Sequence, residues 1–296
     1  MSGSDLLRGR GAVVSGGSRG IGRAVAEELS RLGAAVVVNG RDAEAVGETI
    51  TAIGASGGRA TGVVGPANDG RVAAALVDEC LSAFGTLDIL VNCAGIAEPP
   101  GSSILTIPPE EFDRLIDAHL GTAFQTCRAA ARVMAERGRG AIINTGSVAF
   151  LGDYGGTGYP AGKGAVNALT MAVAAELKAY GVRANVVCPG ARTRLSTGPA
   201  YESHIEDLHR RGLLDELTMR ASLDGAPASF VAPLYAYLAS DLARDVTGRM
   251  FVAAGGFVGS FDRPTPRVLA YRDHRRAAPW SIHELHEKIG GAAPGP

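Results

Sequence analysis

Along most of the chain, short apolar runs alternate with longer stretches in which apolar positions recur every three or four residues. Gly11–Ser15, Ala34–Val38, Ala60–Val64, Leu87–Val91, Ala141–Asn144, Arg183–Val187 and Met250–Ala253 have the length and apolar density of buried strands. Between them Ile21, Val25, Leu29 and Leu32 keep helical spacing, residues 71–84 do so again, and residues 42–54 do so weakly. Pro108-Pro109-Glu110-Glu111 opens a helix running to about Glu136, and Tyr159 opens another running to about Tyr180. Pro227–Leu238 reads as a further helix. Such alternation predicts an α/β fold, a doubly wound parallel sheet with helices on both faces.

Residues 191–224 break the pattern. They carry Leu195, Leu208, Leu213, Leu214, Leu217 and Met219 among many charges, which suggests short helices forming a lid. Beyond Gly255-Gly256 the alternation stops, so the reading is a single domain over 1–256 and a C-terminal extension over 257–296. The extension contains Arg272-Asp273-His274-Arg275-Arg276, which reads as a solvated cluster rather than a ligand site, and a short helix at Trp280–Lys288.

With 46% apolar and only 5% aromatic residues, the core must be built on Ala, Val and Leu. A net charge of −1 offers nothing to nucleic acid or an anionic membrane. Cys80, Cys93, Cys127 and Cys188 show neither CxxC nor metal-ligand spacing, so the expectation is reduced thiols, no metal and a cytoplasmic location. No charged and then apolar stretch precedes the first strand, so no leader is expected, and no apolar run approaches the roughly 20 residues of a membrane span.

The unusual residues stand directly after strands. Gly16-Gly17-Ser18-Arg19-Gly20-Ile21-Gly22, Asn92–Gly95, Thr145-Gly146-Ser147 and Pro189-Gly190 each follow one. In a parallel sheet these carboxyl ends share the edge where ligands bind. A glycine-rich turn between strand and amphipathic helix brings backbone amides and a helix N-terminus against a pyrophosphate. Tyr159 and Lys163 lie one turn apart at the start of a helix that follows another of these loops. Pro160 suits a first turn, and a neighbouring ammonium favours ionisation of a phenol whose pKa is otherwise about 10. The bland alternative is a surface tyrosine before a surface lysine, but the chain has only three lysines. Gly162 and Gly164 also suggest that something approaches this helix closely.

Taken together, these motifs over about residues 8–256 resemble the short-chain dehydrogenase/reductase family. The resemblance implies a Rossmann-like sheet of seven strands and a nicotinamide cofactor. It implies that Ser147 orients the substrate oxygen and Tyr159 exchanges its proton. Lys163 would hold the nicotinamide ribose and lower the tyrosine pKa. The cofactor cradle would comprise Gly16, Ser18, Arg19, Gly20, Ile21, Gly22, Arg41, Asn92, Ala94, Gly95, Tyr159, Lys163, Pro189, Gly190 and Thr193.

The chain also departs from the family pattern. His119 stands where an asparagine commonly helps a water relay protons from the lysine, Cys93 replaces the second asparagine of its turn, and Gly65 replaces an aspartate beside the adenine. The interval from Ser147 to Tyr159 is one residue short. His119 is either a core residue or a titrating relay group with an unperturbed pKa near 6.5. At the end of the second strand Asn39 and Gly40 stand where an acid would accept ribose hydroxyls, while Arg41 and Arg19 suit a 2′-phosphate. The alternative pairs Arg41 with Asp42. The expectation is therefore an NADP(H)-dependent oxidoreductase interconverting a ketone and a secondary alcohol, its partners a small carbonyl or alcohol substrate and a second copy of itself. Homodimers or homotetramers would form through the alanine-rich helices at 109–136 and 159–180. A weaker likeness points to hydroxyacyl-CoA dehydrogenases. Rival readings are non-redox acid–base chemistry (dehydratase, epimerase or cyclase) and a non-catalytic cofactor-binding protein.

Overall fold

In the computed structural model, residues 5–290 are described. Seven strands run parallel: β1 (Gly11–Ser15), β2 (Ala35–Gly40), β3 (Arg59–Val64), β4 (Ile89–Asn92), β5 (Gly140–Thr145), β6 (Val182–Gly190) and β7 (Met250–Ala254). Their spatial order, β3-β2-β1-β4-β5-β6-β7, reverses between β1 and β4 and opens a crevice at that switch point. The sheet has an eighth strand in place of the expected seven. After the Gly255-Gly256 turn, β8 (Phe257–Phe261) folds back and pairs antiparallel with β7, Ala254 opposite Phe257. The chain accordingly divides after Phe261.

Two cores sit on opposite faces because successive strand residues point to opposite sides. Ala12 and Val14 of β1 face α1 (Gly20–Arg31) and the helix at Ala232–Ala239, whereas Val13 faces Leu76 and Cys80 of α3 (Gly70–Phe84). α2 (Ala43–Ala55) packs with the first core through Val46 and Ile53. Both faces being covered, the central strands are buried throughout.

The periodicity predicts one helix across 109–136. The backbone instead inserts a π-turn, Asp117–Gly121, between α4 (Pro109–Ile116) and α5 (Thr122–Glu136). Such insertions re-aim side chains, and this one carries His119. α6 (Gly158–Leu177) begins where the Tyr159 motif predicts, with Pro160 in its first turn. The strand expected at Arg183–Val187 extends to Gly190, so Pro189 and Gly190 lie within β6, paired with Ala253 and Ala254. Residues 191–224 do contain short helices, α7 (Pro199–Arg210) and α8 (Glu216–Leu223). The helix expected at Pro227–Leu238 is a single 3₁₀ turn followed by α9 (Ala232–Ala239).

Asp262 onward forms the second unit. Its helix, α10 (Ile282–Gly290), is capped reciprocally: Ser281 Oγ accepts from the Glu284 amide, and Glu284 accepts from the Ser281 amide. Arg272 lies 3.7 Å over the Trp280 ring, pairs with Glu284 and donates to the Ala278 and Pro279 carbonyls. Arg272 is thus an internal clamp and not a solvated cation, whereas Arg275 and Arg276 are exposed.

Candidate active site

The glycine turn that ends β1 is pressed against the turn that ends β4. Gly16 has φ +67, and a Cβ there would stand 2.6 Å from the Ala94 amide nitrogen. Both the backbone conformation and the space demand glycine. α1 then starts with Gly20, Ile21 and Gly22, has no acid in its first turn, and takes no side-chain cap from Arg19. Its leading amides point at the crevice edge and favour an anion. Across from Gly20 stands Thr193, whose methyl lies 3.5 Å from where a Gly20 Cβ would be. Bare amides, absent carboxylates and glycine-limited approach fit a dinucleotide pyrophosphate.

The side chain of Asn92, a predicted cofactor contact, is engaged as a brace. Asn92 accepts from Ser15 Oγ (2.9 Å) and Thr126 Oγ1 (2.8 Å) and donates to Asn144 Oδ1 (2.8 Å). Its buried amide knits β1, β4, β5 and α5 together. Asn39 likewise donates to the Val63 and Gly65 carbonyls at 3.0 Å each. A Cβ on Gly40 would meet Ser18 Oγ at 2.3 Å, so no acid fits there while Ser18 keeps its place. Gly65 is itself closed to a side chain by Val72, 2.9 Å from its ideal Cβ, and by a φ of +148.

Arg19 pairs with Asp42, which also caps α2 through the Glu44 and Ala45 amides. The alternative pairing of Asp42 with Arg41 is therefore not formed. Arg41 is exposed, and no carboxylate lies within ion-pair distance of it among the described residues.

The catalytic candidates converge at the crevice. Lys163 is buried and donates to the Thr145 carbonyl at 2.8 Å, and burial pushes its ammonium down to about 8. Its Nζ lies 5.8 Å from the Tyr159 ring centre. Burial pushes the Tyr159 phenol above its ordinary value, opposed by the Ser147 hydroxyl. The lowering of Tyr159 expected from its lysine is not found, because Lys163 is turned to the Thr145 carbonyl and burial outweighs the Ser147 hydrogen bond. Ser147 Oγ also accepts from the Ala149 amide at 3.2 Å, which fixes it at the head of a 3₁₀ turn.

His119 is 2% exposed. Its Nε2 sits 3.1 Å from the Ile96 carbonyl, an obligate acceptor, so Nε2 carries the proton and Nδ1 is a lone-pair acceptor. Nδ1 has no partner among the described residues. Burial, then the charge of Lys163, pushes His119 down to about 3, so it does not titrate near 6.5. Gly95 and Gly162 make room for the ring: Cβ atoms there would approach it to 2.8 and 3.2 Å. The close approach suggested by Gly162 is therefore that of His119, whereas Gly164 borders open space.

Cys93 keeps its turn in place, its amide bonded to the Ser15 carbonyl at 2.9 Å. Burial pushes its thiol up to about 11, and Thr145 Oγ1 donates to it while also meeting the Tyr235 hydroxyl at 2.9 Å. Tyr235 escapes motif reading because it braces the site from a distant helix, whereas Thr145, already part of the loop motif, braces it from a strand end. The α7 region rests on the segment before Tyr159: Ile205, Leu208 and Leu214 pack with Tyr154, and His204 reaches the Tyr154 carbonyl at 2.9 Å.

A doubly wound sheet with an anion-ready glycine turn at its switch point, beside half-buried Ser147 and Tyr159 and the buried Lys163, defines a dinucleotide-dependent oxidoreductase. The chain belongs to the short chain dehydrogenase family, whose model matches residues 10–198 and whose members use NAD(P). It is 34% identical to a 3alpha-hydroxysteroid dehydrogenase of Mediterraneibacter gnavus over 84% of this chain and 97% of that one. It is 39% identical to the L-rhamnose 1-dehydrogenase (NAD(P)(+)) of Azotobacter vinelandii over 85% and 97%. A solved short chain dehydrogenase from Mycobacterium avium superposes with a TM-score of 0.79 at 32% identity, covering 98% of both chains.

Proposed function

We propose that the protein is an NADP(H)-dependent oxidoreductase that interconverts a ketone and a secondary alcohol, with Tyr159 exchanging the proton. The observation that carries this reading is the half-buried Tyr159 ring, which has Lys163 Nζ 5.8 Å from its centre and Ser147 beside its hydroxyl. When bound, the nicotinamide supplies or accepts the hydride. Ser147 positions the carbonyl oxygen, and Tyr159 gives it a proton or, in the reverse direction, takes one. The Lys163 ammonium, held by the Thr145 carbonyl beside the Tyr159 ring, would hold the ribose hydroxyls. Arg41, exposed and without a carboxylate partner among the described residues, supports selection of a 2′-phosphate. The named relatives act on a steroid and a sugar, which supports a hydroxyl–carbonyl exchange without choosing between those skeletons.

Ala168, Ala172 and Ala175 of α6 and Phe124 of α5 are exposed, which supports pairing of two copies through these helices. Four free cysteines support a cytoplasmic location. The test of the activity is loss of NADPH absorbance with a panel of cyclic ketones, keto sugars and β-ketoacyl thioesters. Substrate-dependent oxidation of NADPH is the expected result, and none across the panel would count against the reading.

A further inference from the structure

The catalytic helix has no cap of its own. Thr157 occupies the cap position of α6, yet its side chain makes no capping bond. The groups to be satisfied at this end are the amides of Thr157, Gly158, Tyr159 and the next residue. That next residue is Pro160, which has no amide hydrogen to place. The other three all point at one carboxylate, that of Glu98, some sixty positions earlier in the chain.

Glu98 Oε1 accepts from the Thr157 amide at 3.0 Å and the Gly158 amide at 3.3 Å, and Oε2 accepts from the Tyr159 amide. Ser102 Oγ holds the same carboxylate at 2.7 Å. Gly156 admits it: φ is +76, and a Cβ there would stand 2.9 Å from Glu98 Cγ and Cδ. Burial alone would raise the Glu98 carboxyl, but the amides of Thr157 and Tyr159, with Ser102, hold it below its ordinary value. The group is therefore an anion at neutral pH, matched to the positive end of α6.

We infer that Glu98 is a positioning residue for Tyr159, acting as a cap supplied from the β4–α4 loop to the helix that carries the phenol. The inference rests on the reading of Tyr159 as the proton donor. Glu98 lies on the loop between β4 and α4, the loop that starts with the Asn92–Gly95 turn against the glycine turn. One carboxylate thus bolts the wall of the cofactor crevice to the residue that delivers the proton. Without it, three amides at the head of α6 lose their partners and the first turn frays. Tyr159 is the second residue of that turn. Displacement of a reacting group by about 1 Å costs on the order of 100-fold in rate.

The test compares Glu98→Ala and Glu98→Gln with the unmodified full-length protein. Amide hydrogen exchange is followed across α6, and ketone reduction and NADPH affinity are measured in parallel. In Glu98→Ala, exchange at Thr157, Gly158 and Tyr159 should rise at least about tenfold while the middle of α6, Val166–Thr170, keeps its protection. Turnover should fall about 10- to 100-fold, with NADPH affinity within about twofold and melting temperature within a few degrees. Glu98→Gln keeps one acceptor oxygen and should recover part of both losses. Unchanged exchange at the three amides, or unchanged turnover, would overturn the inference. So would a uniform loss of turnover, NADPH affinity and melting temperature, since that is the mark of general destabilisation. If the unmodified protein reduces no ketone, the proposed function is what fails, and the exchange at these amides still decides whether Glu98 holds the turn.

Discussion

The ring of His119 stands edge-on to the ring of Tyr159, centroids 5.0 Å apart and planes at 88°. The imidazole comes from a π-turn and the phenol from the second residue of α6, so two local irregularities meet in one contact. His119 is a neutral acceptor at physiological pH, with its lone pair at Nδ1 facing the Gly95 backbone. His119→Leu should lower turnover by about tenfold, the worth of one hydrogen bond, without changing the shape of the pH–rate profile between pH 6 and 9. A new or lost limb in that range would show that His119 titrates during turnover.

The same burial makes His119 an acid-sensitive element. Its folded pKa lies below the unfolded value, so the unfolded chain binds the extra proton between pH 6.5 and about 3. Its stabilising contribution is present above pH 6.5 and lost as pH falls through that window. Acid titration followed by circular dichroism should find His119→Leu unfolding at a lower pH than the unmodified protein. Coincident acid transitions would contradict this.

Lys163 acts at the other end of the scale. Its ammonium is held down to about 8, so between pH 8 and 10.5 the unfolded chain binds more protons than the folded one. Stability at this residue therefore rises with pH across that window. Urea unfolding should show the unmodified protein gaining up to about 3 kcal/mol on Lys163→Met between pH 7.5 and 10.5. Parallel pH dependences for the two proteins would rule the buried cation out.

Arg41 and Arg19 should separate in cofactor binding. Arg19 is occupied by Asp42, whereas Arg41 is available to a phosphate. Arg41→Asp should weaken NADPH relative to NADH by about 10- to 100-fold, the worth of one charged hydrogen bond, and Arg19→Ala by less. Fluorescence titrations showing that the unmodified protein binds NADH as tightly as NADPH would remove the preference.

Gly95 should tolerate a side chain only when His119 is cut back. Gly95→Ala places a Cβ 2.8 Å from the imidazole and should cost about 1–3 kcal/mol of stability. Combined with His119→Ala it should cost much less, a coupling that a double-mutant cycle measures directly. Additive effects would mean that the two sites are independent.

The sheet and the catalytic cluster were legible because each depends on local pattern. Strand runs such as Gly11–Ser15 are apolar on both faces, and Tyr159 and Lys163 are joined by one helical turn. What escaped was whatever depends on tertiary contact. β8 needs β7 as its partner, and the π-turn at Asp117–Gly121 leaves the periodicity of its flanking helices intact. Only the fold shows that the Asn92 amide is bonded to three buried neighbours. The sequence shows that Tyr159 lies near Lys163 but not the burial that pushes its phenol up. Glu98 carries no motif at all, since only the meeting of the β4–α4 loop with the head of α6 gives it a role.

The central claim is that Tyr159 delivers the proton to a carbonyl oxygen. It is tested most directly by Tyr159→Phe, which keeps the ring against His119 and removes only the hydroxyl. With a ketone that the unmodified protein reduces, single-turnover oxidation of bound NADPH should slow by on the order of 10²- to 10⁴-fold, while NADPH binds with unchanged affinity. A Tyr159→Phe protein that oxidises bound NADPH at a rate within a few-fold of the unmodified one would contradict the account.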